Sequence, residues 1–211
     1  MPTTIAVVDY GMGNLRSVAK AMVHVAPKCK VQITSSARDI ERADRIVFPG
    51  QGAARDCMRN LQHHELHHAV AEAFKQKPVF GICMGLQVLF DRSDENNGID
   101  CLGLVKGGVH GFVRQPDHPE MKVPHMGWNQ VRQADPHPLW SGIADNARFY
   151  FVHSYYVSPE DLSWVAAKTV YLNQFTSAIA KDNVFATQFH PEKSADDGLQ
   201  LLKNFTNWTV S

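Results

Sequence analysis

The chain has 211 residues, 44% of them hydrophobic and 20% charged, with 21 basic and 21 acidic side chains and a formal net charge of zero. This is an ordinary globular mix, long enough for one sizeable core and at most two small domains. The neutral balance gives no electrostatic pull toward nucleic acid or an anionic membrane, and no apolar run approaches a membrane span.

The opening MPTTIAVVDYGMGN lacks the basic and long apolar regions of a secretion signal. The four cysteines, Cys29, Cys57, Cys83 and Cys101, form no CxxC pair, so they are expected as reduced thiols in a cytoplasm. Residues 5–8 predict a short strand ending at Asp9-Tyr10-Gly11. Asn14 then caps a helix whose apolar positions are Leu15, Val18, Ala19, Met22 and Val23. Strands follow at 31–34 and 45–48, the latter stopping at Pro49-Gly50-Gln51-Gly52. Helices are predicted over 53–60 and 65–75, a strand over 78–82 and a helix over 84–90. Strands alternating with helices argue a parallel α/β sheet.

After Asp91 the pattern changes. DRSDENNG reads as a polar loop, and strand-like pieces follow at 108–113, 127–132, 148–157, 164–172, 175–180 and 184–189. Residues 135–142 read as a connection, and Leu199, Leu202, Lys203, Phe205 and Thr206 suggest a closing helix. These pieces add strands to the same sheet and a small antiparallel layer. With no repeat, low-complexity tract or flexible linker, residues 1–211 are expected to form a single domain.

Two motifs invite over-reading. His64-Glu65-Leu66-His67-His68 matches the zinc-peptidase pattern HExxH. However, Leu66, Ala69, Val70, Ala73 and Phe74 define the buried stripe of that helix, which turns His64 and His68 to solvent. No third ligand or walled cleft is evident, so no metal is expected. Gly11-Met12-Gly13 opens a helix as a dinucleotide loop would, but Arg16 stands where the third glycine belongs, leaving a tight turn as the reading.

Gly81-Ile82-Cys83-Met84-Gly85 has the form of a nucleophile elbow, with glycines where β-carbons would clash in a strand-to-helix corner. The turn lifts Cys83 clear of the sheet edge, at a helix N-terminus, with the Met84 N–H aimed toward a developing oxyanion. The alternative is a small buried core cysteine. His190-Pro191-Glu192 ends another apparent strand, VFATQF. In extended chain, side chains two apart share a side, so Glu192 could orient His190 as the base for Cys83. Gly50-Gln51-Gly52, also at a strand end, is either a second oxyanion donor or only a turn.

GICMGLQ, PGQGA and FHPEKS together resemble the class I glutamine amidotransferases. DYGMGNLRSV, VPHMGWN and FYFVHSYYV are similar, more narrowly, to the glutaminase subunits of imidazole glycerol phosphate synthases. The resemblance runs end to end. It implies a flavodoxin-like, mostly parallel sheet flanked by helices, with extra antiparallel strands in the C-terminal half, and no cofactor. It implies that Cys83 attacks the glutamine amide, that His190 shuttles the proton and that Glu192 orients His190. A γ-glutamyl thioester then forms and is hydrolysed. Ammonia passes to a (β/α)8-barrel synthase subunit, which makes imidazole glycerol phosphate and aminoimidazole carboxamide ribotide for histidine biosynthesis. By matching position, Gln87, His153, Ser154 and Tyr155 hold the glutamine backbone and carboxylate, Gly52 lies in the same site, and Glu95 takes the ammonium. Asn14, Pro124, Met126, Trp128, Tyr150 and Lys193 fall where the family meets its synthase, and Trp128 reads equally as core packing.

Gln51 departs from the pattern, which has a small apolar residue, often valine, between the two glycines. In the family this loop's peptide orientation is the switch that keeps the free subunit nearly silent, so the isolated chain is expected to be a poor glutaminase. The competing readings are the glutaminase subunit of another amidotransferase, a cysteine peptidase on the same scaffold, and a non-catalytic binding subunit. The first shares the elbow and the HPE but is not expected to carry DYGMGNLRS or PHMGWN; the second shares Cys83 and His190 but has no need of VHSYY or PHMGWN; the third has no need of the triad.

Overall fold

The structure, a computed structural model, describes residues 2–114 and 121–210. The first half runs β1 (Thr4–Val8), α1 (Leu15–Val25), β2 (Lys30–Thr34), α2 (Ala37–Arg42), β3 (Arg45–Gly50), α3 (Ala54–His63), α4 (Leu66–Gln76), β4 (Val79–Cys83) and α5 (Met84–Gln87). The second half is mostly strand: β5 (Phe90–Ser93), β6 (Ile99–Asp100), β7 (Val105–Gly111), β8 (His125–Gln130), β9 (Arg132–Gln133), β10 (Arg148–His153), β11 (Tyr155–Pro159), β12 (Val165–Val170), β13 (Gln174–Lys181) and β14 (Val184–Thr187). The long helix α6 (Ala195–Asn207) follows.

Strands β2-β1-β3-β4-β14 form a parallel block at one side of a 12-stranded sheet. Strand β13 joins β14 antiparallel and continues the sheet through β11, β7, β5 and β6. Apart from the edge strand β2, the parallel strands are near-continuous apolar runs because both of their faces are covered; Ile5–Val8, Ile46–Phe48 and Val184–Ala186 are all buried. Helix α1 buries Val18, Ala21 and Met22, and α6 buries Leu201, Leu202 and Phe205. Strand order reverses at β1, with β2 on one side and β3 on the other, which opens a crevice at the carboxyl ends of the strands. Strands β8 and β10 form a separate antiparallel ribbon in which Trp128 pairs with Tyr150 and His125 with His153.

Several expectations change. The α1 stripe takes Ala21, and Val23 is left 54% exposed. The helix expected over 84–90 is a single turn that ends at Gln87; Phe90 already begins β5. Leu86, Val88, Leu89 and Phe90 are all fully buried, so this run has no polar side to give it a helical period. DRSDENNG is not a bare loop: its start belongs to β5, and Glu95–Asn97 form a 3-10 turn with Asn96 and Asn97 left-handed. Residues 148–157 divide at Ser154 into strands of different sheets. Helix α2 was not expected, although Ser36 caps it by accepting from the Asp39 N–H at 3.3 Å.

HELHH lies on no single helix: His64 caps the end of α3, Glu65 is left-handed and His68 belongs to α4, with both histidines exposed. Among the described residues no group of three or more His, Cys, Asp or Glu is placed to hold a metal. Gly11 and Gly13 have positive φ, as a tight turn requires, and the Asn14 side chain makes no cap hydrogen bond to α1. Among the described residues no helix is long and apolar enough to cross a membrane.

Candidate active site

The carboxyl ends of β3, β4 and β14 converge on a cavity of about 470 Å³. Its lining includes Cys83, His190, Gln51, Gly52, Met84, Gln87 and Glu95, together with Pro124, His153, Ser154, Tyr155 and Lys193. Three strand-end segments far apart in the chain therefore meet at one mouth of the sheet.

Cys83 closes β4 with φ +55° and ψ −107°, the strained corner of an elbow. The neighbouring glycines are there for close approach. A Cβ on Gly85 would lie 1.8 Å from the Phe48 carbonyl oxygen, and one on Gly81 would lie 2.8 Å from Ala186 Cβ. Gly85→Ala is accordingly expected to lower the thermal midpoint by several degrees or more and to displace Cys83, because the obstacle is β3 backbone that has no room to yield. An unchanged midpoint in a thermal melt would contradict this packing. The thiol is less open than expected: Cys83 is 5% exposed, and it faces the cavity. The helix it begins is one turn long, so the expected aid from a helix dipole reduces to the unused N–H groups of that turn.

His190 and Glu192 meet, but not by alternation in a strand. Strand β14 ends at Thr187, His190 caps a 3-10 turn over Pro191–Lys193, and this turn brings Glu192 Oε1 within 2.9 Å of His190 Nδ1. Both side chains are almost completely buried. Among the described residues His190 Nε2 and Glu192 Oε2 have no hydrogen-bond partner of ordinary geometry. Burial draws the His190 imidazole down, but the Cys83 sulfur first, and the Glu192 carboxylate second, outweigh it and hold its pKa up at about 10. The His190 backbone N–H donates to the Tyr150 carbonyl at 2.9 Å. Buried Ser194 locks the same corner, donating to the His190 carbonyl at 2.6 Å and accepting from the Tyr150 N–H at 3.0 Å.

The loop after β3 is held from beneath. A Cβ on Gly50 would meet the Tyr10 hydroxyl at 2.3 Å and Met84 Cβ at 2.7 Å, so Gly50 is a contact residue under the cavity floor. The Gln51 carbonyl accepts from the Cys57 thiol at 3.5 Å, and Gly52 has φ +89°. Glu95 lines the cavity, and its Oε2 accepts from the Ala54 N–H at 2.6 Å, which ties it to the start of α3. Gln87 is buried, with its amide nitrogen engaged by the Tyr155 carbonyl and by Gln188. Met126 and Trp128 are 62% and 45% exposed on β8. Trp128 packs edge-on to Tyr150 at 6.3 Å, and Lys193 Nζ sits 5.9 Å above the Tyr150 ring. These four residues form one surface beside the cavity mouth. Trp128 is therefore not core packing. Asn14 lies at the start of α1, outside the cavity lining.

Sequence reasoning missed Gln188, Ser194, His125, Tyr10 and Cys57. Gln188 carried a usable signal in the sequence, a polar amide set among the apolar residues of VFATQF, and the structure buries it fully. Burial lowers the pKa of His153 to about 3 and of His125 and His137 to about 4. All three are neutral in the fold but protonate near pH 6.5 in the unfolded chain, so stability is expected to fall as pH drops from about 6.5 to about 4. His137→Asn should flatten that fall, because Nδ1 of His137 accepts from the Leu139 N–H at 3.1 Å and a non-titrating oxygen can replace it. Urea midpoints measured across this range check the slope.

The family model for class I glutamine amidotransferases matches residues 6–208. The chain is 57% identical over 205 residues to "Imidazole glycerol phosphate synthase subunit HisH" of Hydrogenovibrio crunogenus, covering 97% of this chain and 96% of that protein. It is 55% identical over 212 residues to the protein of the same name from Thiobacillus denitrificans, covering 99% and 92%. Among solved structures, that of PurLQS from Thermotoga maritima superposes with a TM-score of 0.71 at 18% identity, covering 98% of this chain and 99% of that one, and bears on the fold alone. The chain belongs to the class I glutamine amidotransferases, and within them to the HisH subunits of imidazole glycerol phosphate synthase.

Proposed function

We propose that Cys83, His190 and Glu192 act as a catalytic triad that hydrolyses glutamine. The observation that carries this reading is the cavity where strained Cys83 meets His190, whose other nitrogen is fixed by buried Glu192 at 2.9 Å. The Cys83 sulfur attacks the side-chain amide carbon of glutamine. The thiol proton, already held on His190 Nε2 in the charged ring, passes to the departing nitrogen, which leaves as ammonia. Water, deprotonated by the same imidazole, cleaves the γ-glutamyl thioester to glutamate and restores the thiol. A pKa near 10 keeps the ring charged at neutral pH, which suits it to protonate the leaving group. The Met84 N–H and the 50–52 loop are the donors for the oxyanion.

Residues 1–211 act as one amidotransferase domain that delivers ammonia to a (β/α)8-barrel synthase subunit. That subunit makes imidazole glycerol phosphate and aminoimidazole carboxamide ribotide. The exposed Met126–Trp128 surface, with Tyr150 and Lys193 beside the cavity mouth, suits the docking face, since aromatic anchors that a partner can bury at the centre of its contact are what such interfaces use. Glutamine turnover by the isolated chain is expected to be low and to rise when the barrel subunit and its ribonucleotide substrate are both added. Full-rate hydrolysis by the chain alone would overturn the coupling.

A further inference from the structure

Two buried amides and two buried histidines outside the triad form a continuous hydrogen-bonded path, and one backbone carbonyl sets its direction. The Tyr155 carbonyl can only accept. It takes an N–H from Gln87 Nε2 at 3.0 Å and another from His153 Nδ1 at 2.8 Å. The second N–H of Gln87 goes to Gln188 Oε1 at 2.9 Å. With its oxygen so engaged, Gln188 presents its own nitrogen to Cys83 Sγ at 3.8 Å. Turning the Gln188 amide over would set two NH2 groups against each other in a dry site, which leaves buried donors unmatched.

The other arm is set in the same way. His153, neutral and protonated on Nδ1, accepts on Nε2, so His125 Nδ1 must donate there, at 2.9 Å. His125 Nε2 then accepts from Asn129 Nδ2 at 3.2 Å, and the second Asn129 N–H goes to the Val170 carbonyl at 2.9 Å. His125 is stacked on Tyr171 at 4.0 Å and on Phe151 at 4.8 Å, which leaves its ring no alternative partner. The path therefore runs from β8, the strand that carries Met126 and Trp128, to the sulfur at the cavity floor.

We propose that Gln188 is a further catalytic group of this reaction, its amide N–H holding the Cys83 sulfur, and that Gln87, His153, His125 and Asn129 are positioning residues that fix the orientation of that amide. The hydrogen bond pins the sulfur and favours its negative form over its neutral one. This inference rests on Cys83 being the nucleophile.

Gln188→Met keeps length and loses the donor. In the complex with the synthase subunit its kcat for glutamine should fall about tenfold or more, with KM moved by less than about threefold. The pH profile of Cys83 alkylation by iodoacetamide should move to higher pH. A kcat within about twofold of the parent with an unmoved profile would overturn the proposal. Should Gln188→Met not co-elute with its partner, His125→Phe carries the test with the same readouts. It keeps the stacking and removes the donor, and His125→Asn, whose amide nitrogen takes the place of Nδ1, should restore the parent values. Independently, 15N spectra of histidine-labelled protein should show His125 and His153 both protonated on Nδ1; an Nε2–H form of either breaks the path. The foundation is tested separately: glutamine turnover surviving in Cys83→Ala removes the nucleophile, whereas a silent Cys83→Ala beside a normal Gln188→Met removes only this proposal.

Discussion

Cys83→Ala is expected to reduce glutamine-dependent synthesis by the complex on the order of 10⁴-fold or more, while synthesis driven by ammonia from solution persists. The size of the effect follows from the role. A methyl group cannot form the thioester, and nothing else in the cavity lining is an activated nucleophile: the remaining polar groups there are amides, a carboxylate, an ammonium, two hydroxyls and two imidazoles. Alanine also fits the elbow, because the space there is already made by Gly81 and Gly85, so the loss will not reflect misfolding. The contrast between the two nitrogen sources is the informative part. Loss of both would point to a damaged interface, and retention of glutamine use would remove Cys83 from the chemistry.

Glu192→Gln is expected to lower kcat on the order of 10²-fold or more, with little change in KM. Glu192 Oε1 accepts the Nδ1 proton at 2.9 Å in a site closed to water, which leaves Nε2 to handle the thiol proton. A glutamine amide in its place carries no charge to balance the imidazolium, so the proton taken from the thiol is held on Nε2 less firmly. Removing the carboxylate should bring the ring's pKa below about 10, with the Cys83 contribution remaining. Because that pKa is raised above the unfolded value near 6.5, the charged contacts of His190 stabilise the fold fully below about pH 6.5 and are lost as pH rises through about 10. The parent should therefore exceed Glu192→Gln in urea midpoint more at pH 6 than at pH 10.5. A constant difference would contradict the ion pair.

Much of this was legible in the sequence because it is written in local pattern. The central parallel strands read as apolar runs, and GICMG and FHPEK marked the residues proposed as nucleophile, base and orienter. What failed was the account of how they are held. The expected helix after Cys83 is a single turn, since a run buried on every side, Gln87 included, bears no period that separates a buried helix from a strand. Glu192 reaches His190 through a 3-10 turn that strand alternation did not foresee. Gln188, His125 and His153 depend on the direction of the Tyr155 carbonyl, which sits 68 residues from the Gln87 amide that bonds to it and is fixed by the pairing of β11 with β7. No local pattern encodes a carbonyl's direction.

The thioester itself is the most direct test. Acid-quenching the complex during glutamine turnover and mapping its peptides by mass should find a γ-glutamyl group on the peptide that contains Cys83, and none on those with Cys29, Cys57 or Cys101. A γ-glutamyl group on another residue, or turnover with none trapped on any cysteine, would contradict the account.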